Sequence, residues 1–328
     1  EPDEVLALGA DNGNFNMTTL ALKGSRFHNG VSRIHGEVAS VMERAVWPQI
    51  PPEENPITHV TNGVHMKTFL ASEWYNLFDM RFDEWHDELL NEDYWERIEQ
   101  IPDYQFWSVR KQLKEWLLQE LHHRVVQQYR RNGESEATIA RVTHLIGKPD
   151  ADTLVMGFAR RFATYKRATL LFSDPARLAR LLNDPERPTV IVFAGKAHPS
   201  DAPGQHLIKV IHEFSQRPEF QGRIIVLEGY DIRLARQLVS GVDLWLNTPE
   251  YPLEASGTSG QKAAINGVVN LSVLDGWWGE GFNGRNGWGI VPREPRLDIE
   301  QRNRDEAKDL LDLIEHEVLP LFHERDGE

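Results

Sequence analysis

A run of small residues followed by a lysine is the first feature of this sequence that could do chemistry. Residues 256–260 comprise two glycines and three hydroxyl residues, and Lys262 follows them. Small residues let backbone N–H groups approach an oxyanion at a helix N-terminus, where the helix dipole also favours negative charge. Lys262, one turn into such a helix, would hold its amine close to a bound phosphate ester. This arrangement suits a Schiff base with pyridoxal phosphate.

Two other phosphate-binding interpretations of this run do not fit. The P-loop spacing G-x-x-x-x-G-K-[ST] is not met, and Ala263 follows the lysine where a magnesium-binding hydroxyl would be required. No G-x-G-x-x-G follows the first predicted strand, so a dinucleotide site is not indicated.

Basic residues cluster after the predicted strands of an otherwise acidic chain. The 328 residues include 36 Lys and Arg against 50 Asp and Glu, a net charge of −14, which argues against a basic nucleic-acid-binding domain. The cations in question are Arg160, Arg161, Lys166, Arg167 and Lys196. Ligands of open parallel sheets bind beyond the carboxyl ends of the strands, so we interpret this cluster as a local anion site, with phosphate as the leading candidate.

The elements that must position these residues alternate between strand and helix. Apolar runs predict strands at residues 153–158, 189–194, 224–227, 242–246 and 268–273. Helix-like segments separate them, with predicted starts at Asp174 and Asp231, which indicates an α/β fold with a doubly wound parallel sheet. Apolar residues at every fourth position predict one long helix from Asp103 to Asn132, and a further helix is predicted at residues 35–42.

Changes in polarity and in the predicted secondary structure divide the chain into three predicted parts. Residues 1–70 are polar and turn-rich, residues 71–150 are helical, and residues 151–328 carry the predicted sheet. The chain begins without methionine and in the middle of a pattern. We therefore expect residues 1–70 to be the tail of a domain whose earlier part is absent.

Several ordered motifs together resemble the α-glucan phosphorylases, the family of glycogen, starch and maltodextrin phosphorylases. The motifs are NGVSRIHGE at 29–37, TNGV at 61–64, RRFATYKR at 160–167, GKAHP at 195–199, and EASGT at 254–258 leading to Lys262. The resemblance covers nearly all of the chain and points to the compact bacterial subgroup. It implies a two-domain glycosyltransferase fold of the GT-B type, with residues 151–328 as an incomplete Rossmann-like C-terminal domain and residues 71–150 as a helical connection.

The resemblance also implies a reaction. The enzyme would transfer the terminal α-1,4-linked glucose of a glucan to orthophosphate and release glucose 1-phosphate with retention, using the phosphate of pyridoxal phosphate in proton transfer. The implied catalytic residues are Lys262, Arg161, Lys166 and His35, of which Arg161 and Lys166 would bind the substrate phosphate. The implied cofactor ligands are Lys262, Thr258, Ser259, Arg160 and Tyr230. Hydrogen bonds to the glucosyl unit would come from His35, Asn62, Glu254, Ser256 and Gly257, and no metal is expected.

Two alternatives stay open at this point. A nucleotide-sugar glycosyltransferase of the glycogen synthase type would share the fold and the cations, although it has no need of an amine at Lys262. The chain could instead be an inactive binding piece of the phosphorylase, because we expect the N-terminal part of the composite site and a C-terminal segment to lie outside it. We expect a cytoplasmic protein that binds neither nucleic acid nor membrane and that could form a homo-oligomer as the intact enzyme. The absence of cysteine excludes disulfides and a cysteine nucleophile.

Overall fold

The computed structural model describes residues 2–11, 13–147, 152–295 and 297–324. The strands are β1 (Ala10–Asp11), β2 (Asn14–Phe15), β3 (His28–Gly30), β4 (Ile57–His59), β5 (Leu154–Ala159), β6 (Thr189–Ala194), β7 (Ile224–Leu227), β8 (Leu244–Asn247), β9 (Val269–Val273) and β10 (Gly287–Ile290). The helices are α1 (Pro2–Leu8), α2 (Met17–Gly24), α3 (Arg33–Met42), α4 (Met66–Phe69), α5 (Ser72–Arg81), α6 (Glu92–Trp95), α7 (Asp103–Arg131), α8 (Glu136–Val142), α9 (Pro175–Leu182), α10 (Ala202–Gln216), α11 (Ile232–Gly241), α12 (Thr258–Ala264), α13 (Trp278–Gly281), α14 (Ile299–Leu313) and α15 (Leu319–His323).

A six-stranded parallel sheet in the order β10-β9-β8-β5-β6-β7 organises the second half of the chain. The five predicted strands are confirmed as β5 to β9, each within two residues of its predicted bounds. The edge strand β10 was not predicted. Chain order runs outward from β5 on one side and from β8 on the other, so the direction of winding reverses between these two central strands. In open parallel sheets, ligands bind beyond the carboxyl ends of the strands at such a point.

Both faces of the sheet are covered by helices, which explains why its strands are apolar without alternation. Strands β5 and β6 are buried along their whole length. On one face the long helix α7 contributes Leu117, Leu121 and Val125, each at most 1% exposed. The other face packs against α9, α10 and α14. The four-residue apolar period predicted for α7 is therefore the stripe that faces the sheet.

Side-chain caps fix where the helices begin. Asp174 accepts the backbone N–H of Arg177 at the start of α9, and Asp231 accepts that of Leu234 at the start of α11. Both predicted helix starts are confirmed, as are the long helix α7 and the helix α3 that covers residues 35–42.

The described residues before α7 form smaller units outside the six-stranded sheet. Strands β3 and β4 pair in parallel, and α3 packs on them. Helix α5 and the start of α7 enclose an aromatic cluster around Trp74, Phe78 and Trp85. The predicted boundary at residue 150 lies outside the described residues, and the three-part division stays a prediction. No helix in the described ranges is long and apolar enough to cross a membrane.

Candidate functional site

A buried ion cluster lies where β5 and β8 end. Arg160 follows β5 directly, and Lys166 ends a short 3-10 turn beyond it. Nη2 of Arg160 donates to Oε2 of Glu254 at 2.6 Å, and Nζ of Lys166 donates to both carboxylate oxygens of Glu254 at 2.7 and 2.6 Å. All three side chains are at most 9% exposed. The two cations therefore share one carboxylate, which leaves the cluster with one net positive charge.

The cluster keeps Glu254 ionised. Burial by itself would raise the pKa of Glu254, but the charges of Arg160 and Lys166 and their hydrogen bonds outweigh burial and hold that pKa below its ordinary value. Each carboxylate oxygen has two lone pairs, so Glu254 can still accept a hydrogen bond from a ligand hydroxyl.

Donor atoms of this cluster remain free for a ligand. Among the described residues, Nε and Nη1 of Arg160 and Oγ of Ser256 are buried without a hydrogen-bond partner. A buried donor without a partner costs about 1–3 kcal/mol, so binding of a water, an ion or a ligand group at these atoms would be favourable. The free atoms of Arg160 are charged donors that suit an anion.

Lys262 lies in α12 and is partly buried. Its Nζ is 3.4 Å from Oγ1 of Thr258 and 4.4 Å from the centroid of the Phe69 ring. Burial lowers the pKa of Lys262, which raises the fraction of neutral, nucleophilic amine at a given pH.

The turn into α12 brings the backbone close to Glu254. Gly257 adopts a left-handed conformation with φ of +82°, and a Cβ there would lie 3.4 Å from Cγ of Glu254. Ser259, the second residue of α12, is held by a side-chain contact, because its Oγ accepts the indole N–H of Trp245 at 3.2 Å.

His35 and Asn62 come from the first part of the chain and lie on neighbouring segments. The backbone N–H of Val31 donates to Nδ1 of His35 at 3.0 Å, so the neutral ring carries its proton on Nε2, which can donate to a ligand. The backbone N–H of Asn62 donates to the carbonyl of Val31 at 3.0 Å. The carbonyl of Asn62 accepts from Nε2 of Gln261 at 2.6 Å, which ties this segment to α12.

The other residues predicted for the site make no contact with the ion cluster among the hydrogen bonds and ion pairs of the described residues. Arg161 is exposed and makes no hydrogen bond or ion pair within the described part of the chain. Tyr230 is partly buried against the hydrophobic core between the sheet and α7, and burial raises the pKa of Tyr230. Lys196 is also exposed.

The prediction that Arg167 belongs to the anion site is wrong. Its side chain is buried, and it donates to the carbonyls of Thr248 and Pro249 and to Glu306 of α14. Arg167 has a positive φ of 47°, which turns it away from its neighbour Lys166. Its charge is therefore used to attach α14 to the ends of the strands.

Sequence reasoning missed two carboxylates that support the site. Asp275 is 2% exposed and accepts the backbone N–H of Glu254 at 2.9 Å and of Gly276 at 2.8 Å. Glu280 of α13 accepts hydrogen bonds from the segments that carry His35 and Asn62. The signal for Asp275 was its position just after β9, since residues after the other strands carry the site. For Glu280 the sequence contains no local signal.

No group of three or more metal-ligating side chains occurs among the residues that the structure describes. The donors that it brings together are cations, hydroxyls and one amine. This set suits anions and carbonyl groups rather than a metal ion.

Comparison with known proteins gives one consistent family. The sequence model of the carbohydrate phosphorylase family matches residues 4–278, a range that includes every site residue predicted from the sequence. The chain is 43% identical over 323 residues to the maltodextrin phosphorylase of Thermococcus litoralis and 42% identical over 332 residues to the glycogen phosphorylase of Aquifex aeolicus. It is 41% identical over 326 residues to the glycogen phosphorylase of Mycobacterium tuberculosis.

These similarities cover almost all of the chain but less than half of each relative. The matched share of the chain is 98%, 98% and 99%, while the matched share of the relatives is 38%, 46% and 37%. The chain thus spans less than half the length of the relatives it matches.

Proposed function

Because the chain belongs to the carbohydrate phosphorylase family, we propose that its site serves the phosphorolysis of α-1,4-glucans. In this reaction orthophosphate cleaves the terminal glucose of a glucan, and glucose 1-phosphate leaves with retention. The observation that carries the proposal is the pair of buried donors of Arg160 that have no partner among the described residues. They belong to an ion cluster whose Glu254 lies against Gly257, at the start of the helix that bears Lys262, an amine of lowered pKa. We also propose the GT-B arrangement and a cytoplasmic location on the strength of this family.

The residues present fit pyridoxal phosphate as the cofactor. Lys262 would hold its carbonyl carbon covalently, because burial favours the neutral amine. Arg160, Thr258 and the backbone near Ser259 would hold its phosphate, and Tyr230 would line it. When bound, this cofactor supplies a phosphate group that can give and take a proton.

The cations of the site have a clear electrostatic task. Two phosphate groups held close together repel each other, which favours sharing of a proton between them. Arg160, Arg161 and Lys166 would supply the positive field that makes this approach tolerable. Lys166 is already desolvated and fixed by Glu254, so it needs little reorganisation.

The sugar would be oriented by groups of both parts of the chain. Nε2–H of His35 can donate to a hydroxyl of the glucosyl unit, since Nδ1 is occupied by the backbone of Val31. Asn62, Ser256 and the backbone at Gly257 would add further hydrogen bonds, and ionised Glu254 would accept one. Holding the glucosyl carbon against the phosphate in this way lowers the entropic cost of the reaction.

The test is covalent labelling of Lys262. The protein is incubated with pyridoxal phosphate, reduced with borohydride, digested and analysed by peptide mass spectrometry. We expect a phosphopyridoxyl group on Lys262, its loss in Lys262→Arg, and its retention in the control Lys209→Arg, which changes an exposed lysine on α10. Absence of the adduct on Lys262 would refute the cofactor assignment and favour a nucleotide-sugar enzyme.

Release of glucose 1-phosphate from maltodextrin and orthophosphate tests the reaction itself. This assay uses the protein at its natural length, with Lys262→Arg as the inactive reference. Labelling of Lys262 without any phosphorolysis would support the cofactor site and contradict the proposed reaction.

A further inference from the structure

Glu280 joins two segments that are more than 200 residues away from it in the chain. Its Oε1 accepts the backbone N–H of Arg33 at 3.0 Å, and the hydroxyl of Thr61 lies 2.9 Å from Oε2 and 3.1 Å from Oε1. In the same place the side chain of Arg33 donates to the carbonyl of Gly279 at 3.1 Å. Helix α13 is thus bound through polar contacts to both segments of the first part of the chain.

The contact with Arg33 is a helix cap supplied from a distant element. Arg33 is the first residue of α3, and His35 is its third. Ser32 caps this helix locally by accepting the backbone N–H of His35 at 3.1 Å, while Glu280 accepts the free N–H of Arg33. A carboxylate at a helix N-terminus also interacts favourably with the helix dipole. Together the two caps fix the helical turn from which His35 projects.

The contact with Thr61 fixes the residue directly before Asn62. Close packing supports the same joint, because a Cβ at Gly279 would lie only 2.6 Å from Cδ1 of Ile34. A side chain at position 279 would therefore require either another rotamer of Ile34 or a shift of α3.

We propose that Glu280 is a positioning residue that holds His35 and Asn62 in register with the Glu254–Lys262 side of the site. This inference rests on the proposed function, in which these two residues bind the glucosyl unit. Glu280 itself does not belong to the cation cluster, and it is exposed. Its removal should therefore impair binding of the sugar while the cofactor and phosphate contacts stay intact.

The test compares Glu280→Ala with Glu280→Gln and with the control Glu219→Ala. Glutamine keeps a carbonyl oxygen for the N–H of Arg33 and can donate to Thr61, whereas alanine keeps neither. Glu219 is an exposed glutamate that precedes the amino end of β7, at the opposite edge of the sheet. A displacement of about 1 Å in a substrate-positioning group can cost about 100-fold in rate.

In the natural-length protein we expect Glu280→Ala to lower kcat/KM for maltodextrin by about 10- to 100-fold. The KM for orthophosphate and the yield of borohydride-fixed cofactor on Lys262 should stay at the wild-type level, and Glu280→Gln should recover most of the activity. Wild-type kinetics in Glu280→Ala would overturn the proposal. So would a parallel loss of cofactor labelling and Tm, because that result indicates a general structural role.

Hydrogen exchange followed by mass spectrometry tests the joint without any turnover. Peptides that contain Arg33 and His35 should exchange faster in Glu280→Ala than in wild type, while peptides of β5 and β6 should not change. If wild-type protein neither labels Lys262 nor releases glucose 1-phosphate, the proposed function fails, and this exchange result still decides the role of Glu280. Unchanged exchange at α3 would refute it.

Discussion

Replacing Asp275 with asparagine should change how the free energy of unfolding depends on pH. Asp275 is buried beside the ion cluster and accepts two backbone N–H groups, those of Glu254 and Gly276. Burial raises the pKa of Asp275 from 3.8 to about 6, and the nearby charge of Glu254 contributes in the same direction. The two backbone hydrogen bonds and the charge of Lys166 act against this rise without cancelling it.

The sign of the effect follows from the raised pKa. A carboxyl group that binds its proton more tightly in the folded state stabilises the fold fully below pH 3.8, and this contribution is lost as the pH rises through about 6. The difference between the two pKa values corresponds to about 3 kcal/mol over the full range. Between pH 4.5 and 7.5 the expected loss is about 2 kcal/mol, because part of the titration in the unfolded chain lies below pH 4.5.

Asparagine does not titrate, so Asp275→Asn should not undergo this loss. The substitution also has a cost that does not depend on pH, since the amide can accept only one of the two backbone N–H groups. That cost is about 1–3 kcal/mol. We expect the variant to be less stable than wild type at pH 4.5. Between pH 4.5 and 7.5 the difference in the free energy of unfolding should shift by about 2 kcal/mol in favour of the variant.

Urea denaturation followed by tryptophan fluorescence at several pH values measures these free energies. The control Asp93→Asn, at an exposed position in α6, reports what any aspartate-to-asparagine change does over the same pH range. If the stability curves of wild type and Asp275→Asn run parallel within about 0.5 kcal/mol, burial does not set the protonation of Asp275, and the reasoning is refuted.

Two further substitutions test a buried ion pair at the amino end of β8 and the turn that leads into α12. Lys114→Met removes the partner of Asp243, whose Oδ2 lies 2.7 Å from Nζ of Lys114 in a buried pair, so we expect a loss of about 3–5 kcal/mol in urea denaturation; a loss below about 1 kcal/mol would contradict it. Gly257→Ala forces a side chain into a left-handed conformation beside Glu254 and should cost about 1–2 kcal/mol. It should also slow phosphorolysis of maltodextrin, and unchanged kinetics would show that the turn does not position Glu254.

The parallel sheet could be predicted from sequence because its strands are buried on both faces. Runs such as residues 190–194 are uniformly apolar, and this pattern can be recognised without knowing which strands lie next to them. Strand β10 lacks it, since two of its four residues are glycine and only Ile290 is buried. Its pairing with β9 depends on tertiary contacts, and no local pattern encodes those contacts.

The site residues likewise fall into those that have a local sequence signal and those whose role depends on tertiary contacts. Arg160 could be found because it follows a predicted strand, and the strand ends of a parallel sheet meet at one edge. Glu254 was found through the EASGT motif that leads into α12 and through the resemblance. Their position after β5 did not distinguish Lys166 from Arg167, although Lys166 joins Glu254 and Arg167 joins Glu306, 139 residues further along the chain. The choice between them is made by backbone geometry in the turn and by long-range ion pairing.

The shared carboxylate of Glu254 explains how an acidic chain can keep a cation site in place. With a net charge of −14, isolated arginines and lysines at a sheet edge would find carboxylates on the surface. Glu254 holds Arg160 and Lys166 in a buried position instead, and it uses only one nitrogen of the guanidinium group. The other two nitrogens, without partners among the described residues, can donate to an anion while the bond to Glu254 stays intact. Anion binding would then complete the hydrogen bonding of a preformed cluster, which requires little reorganisation of the protein.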